Sequence, residues 1–308
     1  MNVLSLFDGM SCGRIALERA GFKIDNYFAS EINKDAMQVS KNNYPDIVQL
    51  GDITKIYGGY ITEKIDLLIG GSPCQGFSFA GKQLNFNDPR SKLFFEFVRL
   101  KNELKPKYFL LENVKMKQEF QDIISEQLGV KPILINSSLV SAQNRERLYW
   151  TNIPNITQPK DKGLVLKDIL DYSITFNYDK EKYKYTPRKY NGNPLCHHIG
   201  TGNFKGGNQL KRIYSETGKA PTLTTISGGC QQKKVSNNNG VWRELTPVEY
   251  ERLQTVPDDY TKGVCNNARY TMLGNGWTVD VIAHIFSFIN APKQPNCFGK
   301  TTCDGKNY

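Results

Sequence analysis

No apolar run in the 308-residue chain approaches the roughly 20 residues a membrane helix needs, so no membrane-spanning helix is expected. The N-terminus, MNVLSLFDG, lacks a charged region and a cleavage site, so export is not expected and a cytoplasmic location is. Seven cysteines, at 12, 74, 196, 230, 265, 297 and 303, form no CxxC pair and no regular spacing. Such a set reads as free thiols rather than a disulfide framework or a zinc site. The adjacent CHH at 196–198 does not change this, because three neighbouring ligands do not readily converge and no partner pair exists, so no metal is expected. The dinucleotide fingerprint GxGxxG is missing, which argues against a nicotinamide enzyme. Repeats and low-complexity tracts are absent too. What is present in excess is positive charge: 40 Lys and Arg against 30 Asp and Glu, a balance that favours a polyanionic partner.

The first 150 residues alternate short apolar runs with helical patterns. Residues 3–7, 27–30, 65–69, 107–111 and 133–140 read as strands, and 14–20, 34–43 and 92–104 as helices. That alternation predicts a doubly wound, largely parallel sheet, whose ligands sit beyond the carboxyl ends of the strands at the switch in strand order. From about residue 173 to 240 the chain becomes rich in Lys, Tyr, Asn, Gly and Thr, including the basic, Gly-rich GTGNFKGGNQLKR (200–212) and the loop SNNNG (236–240). Helical patterning returns over 246–255 and 278–288, the first with Thr246 as N-cap, Pro247 at the first helical position and Glu249 in the first turn. Residues 1–172 and 241–290 therefore read as one α/β domain, 173–240 as a smaller inserted domain, and 291–308 as a loose tail.

Several short segments carry chemistry. SLFDGMSCG (5–13) ends a strand and opens a helix through a turn containing Gly9, which lets backbone approach a ligand closely. Glu31, after the second strand, is placed either to bind ribose hydroxyls or to serve as a helix cap, and Asp52 in a turn is equally two-sided. GGSPCQGFS (70–78) puts Cys74 in a loop at the ligand edge of the sheet, after a proline and among small residues, where a packing role fits poorly. FLLENV (109–114) delivers Glu112 to the same edge. A thiol and a carboxylic acid converging on one crevice are the parts of nucleophilic catalysis with proton donation.

These segments, with SEI, GDI, DPRSKLFFEFVRL, QNRERLYW, RELTPVEYERLQTVPDDY and MLGNGWTVDVI in this order, resemble the DNA cytosine-5 methyltransferase family nearly throughout the chain outside 173–240. The compact length looks like the bacterial or phage type, while SLFDG, GGSPC, LFFEF and LGNGW resemble the catalytic half of animal de novo methyltransferases. The resemblance implies a Rossmann-like S-adenosylmethionine-dependent domain with an inserted target-recognition domain. It implies methyl transfer from S-adenosylmethionine to C5 of a flipped-out cytosine in a specific duplex DNA sequence.

By the same resemblance Cys74 is the nucleophile, Glu112 protonates the base at N3, Arg147 contacts the flipped base and Arg145 supports it. Phe7, Gly9, Met10, Glu31, Ile32, Asp52, Ile53, Pro73, Asn275, Gly276 and Trp277 would bind the cofactor. Gln75, Ser78, Arg212, Thr224 and Thr225 would meet DNA, with Lys205, Lys211, Lys233 and Lys234 offering charge to phosphate. Double-stranded DNA is the implied partner, the implied state is a monomer, and a cognate restriction endonuclease acting in trans the implied companion. Two departures stand out: Ser11 and Cys12 occupy positions usually glycine in the first motif, and Trp277 replaces a small or β-branched residue in the last. A transfer-RNA methyltransferase shares almost all these motifs. A silent DNA-binding paralogue is the alternative outside enzymology, and retention of Cys74, Glu112, Arg145 and Arg147 argues against it.

Overall fold

The computed structural model describes residues 1–73, 89–174, 184–187, 195–202, 207–226, 231–236 and 241–289, with backbone alone at 89–91. The chain opens with β1 (Asn2–Leu6), α1 (Cys12–Arg19), β2 (Asn26–Ser30), α2 (Lys34–Asn43), β3 (Val48–Gln49) and β4 (Leu67–Gly70). It continues through α3 (Pro89–Leu104), β5 (Tyr108–Val114), α4 (Gln118–Leu128), β6 (Ile133–Asn136), β7 (Gln143–Asn144) and β8 (Glu146–Thr151). A seven-stranded sheet runs in the order β3-β2-β1-β4-β5-β8-β6. Its first five strands are mutually parallel, and β8 is antiparallel to both its neighbours. The order reverses between β1 and β4, so the crevice expected of a doubly wound sheet opens beyond Leu6 and Gly70.

The central strands are apolar on both faces because both are covered. Val3, Leu67, Ile69, Leu110 and Tyr149 join Ile15 and Leu17 of α1 in one core. Leu4, Leu6, Leu68, Leu111 and Trp150 face the other way, onto Phe94 and Phe97 of α3 and Phe120, Ile124 and Leu128 of α4. The first core is closed from the far end of the chain by Val281, Ile282, Ile285 and Phe286 of α7 (Val279–Phe286). Alternation along each strand thus distributes one residue to each layer.

A second sheet holds β9 (Tyr185–Pro187), β10 (His198–Gly202), β11 (Arg212–Ser215), β13 (Lys234–Ser236) and β14 (Trp242–Glu244), in the order β14-β13-β11-β10-β9. Its last strand lies beyond the boundary read at residue 240. The short β12 (Ala220–Pro221) leaves this sheet and pairs in parallel with β7. That seam is locked by Lys219, whose Nζ donates to the carbonyls of Ser138 and Ser141 at 2.7 and 3.1 Å. The helices α5 (Pro247–Leu253) and α6 (Asn266–Asn275) precede α7. The capping box at α5 is present: Thr246 Oγ1 accepts the Glu249 N–H, and Glu249 accepts the Thr246 N–H.

Three sequence expectations need correction. The strand read over 133–140 stops at Asn136, whose side chain accepts the Ser138 N–H and turns the backbone into a 3₁₀ turn. Lys234, expected at a phosphate, is buried at 1% exposure; its Nζ donates to the Gln232 carbonyl and lies 5.7 Å from the Trp242 ring centroid. Lys233 is also largely enclosed, and burial, reinforced by the charges of Lys234 and Arg212, pulls its pKa down to about 8. Lys205 and the tail 291–308 lie outside the described residues. Among the described residues no helix is long and apolar enough to cross a membrane.

Candidate active site

The turn between β1 and α1 is unusually tight. Phe7 and Ser11, neither of them glycine, sit in the left-handed region at φ +56° and +64°, with Gly9 between them at +60°. Side chains hold this turn from below. Asp8 is buried and accepts from Ser11 Oγ at 2.5 Å and Tyr27 Oη at 2.8 Å, while Ser11 Oγ also meets Ser40 Oγ at 2.7 Å. Burial dominates these hydrogen bonds and pushes the Asp8 carboxyl up to about 6. From the C-terminal region, Tyr260 Oη donates to the Met10 carbonyl at 2.7 Å.

On top of the turn the Gly9 N–H donates to Glu31 Oε2 at 2.8 Å, and Glu31 Oε1 accepts the N–H groups of Ile32 and Asn33. Three backbone donors therefore fix one carboxylate at the mouth of the crevice. Beside it Ile32 is 75% exposed, an apolar surface, and among the described residues the space above Gly9 is open. Asp52, after β3, spends Oδ1 on the Thr54 N–H and hydroxyl; the backbone hydrogen bond in particular holds its carboxyl below the usual range. Its Oδ2 takes no hydrogen bond among the described residues.

Across the crevice, β5 carries Glu112 in its C-terminal half, 8% exposed. Arg147, on the adjacent β8, directs Nε to Glu112 Oε1 at 2.9 Å, and its Nη1 donates to the Glu146 carbonyl at 2.8 Å. The other carboxyl oxygen, Oε2, accepts the Trp277 indole N–H at 2.9 Å. Next to Glu112, Asn113 donates to Ser72 Oγ at 3.1 Å, tying β5 to the loop that leaves β4. That loop is described as far as Pro73; Cys74, Gln75 and Ser78 lie outside the described residues.

A family model for C-5 cytosine-specific DNA methylase matches residues 1–291. The chain belongs to that family. It is similar to the Type II methyltransferase M1.ScrFI of Lactococcus lactis subsp. cremoris, 32% identical over 91% of this chain and 75% of that protein. Type II methyltransferase M.HhaI of Haemophilus parahaemolyticus is 29% identical, over 92% of this chain and 93% of its own. Among solved structures, the Entamoeba histolytica methyltransferase EhMeth superposes with a TM-score of 0.69 at 19% identity, over 94% of this chain and 97% of that one; this likeness concerns the fold.

Within the methylase, the expected residues separate into two groups. Glu31, Ile32, Asp52 and Gly9 line the crevice on the β1–β3 side, and Glu112, Arg147 and Trp277 gather on the β4–β5 side. Phe7 and Pro73 border it, half-buried, and Asn275 at the end of α6 is exposed. Met10 and Ile53 do not offer side chains to it: they are 1% and 4% exposed and belong to the two cores. Gly276 lends its carbonyl to Arg145 and Gln254.

Arg145, expected to support Arg147, is enclosed. It is 3% exposed, and its guanidinium donates to the carbonyls of Leu223, Gly274 and Gly276 at 3.0–3.2 Å. It therefore binds the segment following β12 to the end of α6 and holds the site from behind. Thr224 and Thr225 are exposed, as is Arg212 on β11.

Asp8, Tyr27, Tyr260 and Gln254 support the site without having been singled out in the sequence. Asp8 had a signal, a carboxylate inside the first motif. Tyr27 and Gln254 carry none, because their partners lie 19 to 111 positions away or belong to loops. Both departures from the family pattern meet in space: the Cys12 thiol, pushed up to about 12 by burial, lies beside the backbone of Trp277.

Proposed function

We propose that this methylase transfers a methyl group from S-adenosylmethionine to C5 of a cytosine rotated out of duplex DNA, with Cys74 as nucleophile and Glu112 as acid. The observation that carries the reading is the carboxyl of Glu112, held by Arg147 Nε at 2.9 Å in a nearly closed pocket. Its neighbour Asn113 is tied to Ser72, two residues ahead of Cys74 in the chain. An enclosed carboxyl paired to arginine at the strand edge that leads into a cysteine is the equipment for adding a thiol to a heteroaromatic ring.

Cytosine C5 is a poor nucleophile. Addition of the Cys74 thiolate to C6, with Glu112 giving a proton to N3, converts the ring to an enamine whose electron pair lies at C5. The bound cofactor supplies an electrophilic methyl on its sulfonium, which that electron pair takes. Loss of the C5 proton to solvent, with N3 returning its proton to Glu112, then restores the ring and expels the thiolate. Arg147 keeps Glu112 aligned and contacts the flipped base.

The described residues suit the cofactor. Glu31, pinned by three N–H groups, has lone pairs left for ribose hydroxyls; exposed Ile32 offers an apolar face to a ring; Asp52 Oδ2 can accept an adenine amino group. Phe7, Gly9, Pro73, Asn275 and Gly276 would complete that pocket. The region 173–240 would read the target, with Thr224, Thr225, Arg212, Gln75 and Ser78 toward DNA. The Type II names of the relatives support a restriction-modification setting; on that reading the enzyme works as a monomer in the cytoplasm, with a cognate endonuclease acting separately.

The test is transfer of labelled methyl from S-adenosylmethionine to unmethylated genomic DNA, followed by base-resolution mapping, for wild type and Cys74→Ala. Modification of one short motif, abolished by the substitution, is the expected result. Incorporation only into transfer RNA would replace the substrate, and an active Cys74→Ala enzyme would refute the covalent route.

A further inference from the structure

Trp277 interrupts a motif where the family usually carries a small or β-branched residue, and its indole is committed to the acid proposed above. Its Nε1 donates to Glu112 Oε2 at 2.9 Å while Arg147 Nε takes Oε1. A carboxyl on a flexible stem rotates freely about its last bond, because that torsion has broad minima. One contact, from Arg147, leaves this rotation open; contacts at both oxygens set the carboxyl plane. Indole also suits an acid that must gain and lose a proton, since it donates only and cannot take the proton itself.

The surroundings are built around this hydrogen bond. A Cβ added at Gly71 would stand 3.0 Å from both Glu112 Oε2 and Trp277 Nε1, so a side chain at the head of the Cys74 loop would press on both partners of the bond. On the other side of the ring, a Cβ at Gly13 would come within 3.6 Å of Trp277 Cζ3. Thr278, its neighbour, donates its hydroxyl to Gln254 Oε1 at 2.8 Å and receives the Ser137 hydroxyl at 2.9 Å.

We propose that Trp277 is a positioning residue for the reaction, its indole N–H orienting the Glu112 carboxyl for proton transfer to the base. This rests on the reading of Glu112 as the acid, and goes beyond the cofactor contact the family resemblance implied for position 277.

The experiment compares Trp277→Phe, which keeps an aromatic ring without the donor, with Trp277→His, which is smaller but carries Nε2 at the place of the indole nitrogen. Initial rates are measured with labelled S-adenosylmethionine and unmethylated genomic DNA, giving kcat and the KM for cofactor. Losing a hydrogen bond to an acid group predicts a kcat about 10- to 100-fold lower in Trp277→Phe, with cofactor KM changed less than about threefold. Trp277→His recovers part of that loss, which a packing role would not produce, because His fills less of the space than Phe. On a Glu112→Gln background, where residual single-turnover rates are compared, Trp277→Phe has no further effect. A wild-type kcat in Trp277→Phe, a His variant slower than the Phe variant, or a loss confined to cofactor KM would each overturn the inference. A Glu112→Gln enzyme with wild-type kcat is a separate outcome: it removes Glu112 as the acid, and with it the role given to Trp277.

Discussion

Replacing Gly274 with alanine sets two physical expectations against each other. Gly274 lies inside α6, and alanine is the better helix former by about 1 kcal/mol, so propensity alone forecasts stabilisation. Packing forecasts the opposite. A Cβ at this position would stand 2.5 Å from the Thr224 carbonyl carbon and oxygen and 2.7 Å from the Thr225 nitrogen. Those atoms are backbone, and their segment is held by the Arg145 bond to Leu223 O and the Thr222 bond to Asn144 O, so it cannot swing aside as a side chain would. Overpacking of this kind costs about 3 kcal/mol, which leaves a net loss of about 2 after the helix gain. For a chain of this size that corresponds to a fall of about 4 °C in Tm. Relief by moving Thr224 and Thr225 outward would also displace two proposed DNA contacts, lowering kcat/KM for DNA more than the KM for cofactor. The assay is thermal unfolding beside methyl transfer, with Gly207→Ala as control, because nothing lies within 4 Å of its added Cβ. A Tm equal to or above wild type in Gly274→Ala would refute the close-approach argument.

Arg243 and Glu249 form a bidentate pair at 2.6 and 2.7 Å, with side-chain exposures of 1% and 0%; Arg243→Met strands the carboxylate and is expected to cost about 3–5 kcal/mol in urea unfolding. Glu31→Gln turns an acceptor toward the Gly9 N–H into a donor, and cofactor affinity by calorimetry is expected to fall at least about tenfold, with the fold intact. The Asp8 carboxyl is raised from 3.8 to about 6 in the folded chain, so the native state binds the extra proton between those values. Its contribution is therefore full below about pH 4 and is lost as pH rises through 6, a change of about 3 kcal/mol relative to Asp8→Asn. Urea midpoints of both proteins from pH 4 to 7 test this, and parallel curves would contradict it.

The parallel core was legible because β1, β2, β4 and β5 are short apolar runs buried on both faces, a pattern that needs no knowledge of neighbours. The antiparallel β8 was not. Its residues ERLYWT include two charges, and only insertion between β5 and β6 makes them a strand. The helix α4 did have a signal, Phe120, Ile124 and Leu128 at four-residue spacing before Gly129 in a left-handed C-cap, which a reading led by catalytic motifs passes over. At the site, Glu31 and Glu112 were legible because a strand end points its last side chains into the crevice. The commitments of Arg145 and Trp277 were not, since each is defined by a partner 78 to 165 residues away. Lys234 shows the reverse failure: a lysine in a polar stretch reads as surface, yet the pairing of β11, β13 and β14 encloses it.

The turn that cradles the proposed cofactor is assembled from opposite ends of the polypeptide. Met10 is held by Tyr260 across 250 positions, and α7 covers the face on which α1 lies. For a chain made in one direction this has a consequence in time. The first motif leaves the ribosome early, but its support arrives only when residues up to 286 have followed. A growing polypeptide therefore presents an unfinished crevice throughout its synthesis, and translation products cut short before α7 lack the wall that closes it. Competence to modify a chromosome is conferred at one late step, on complete chains alone.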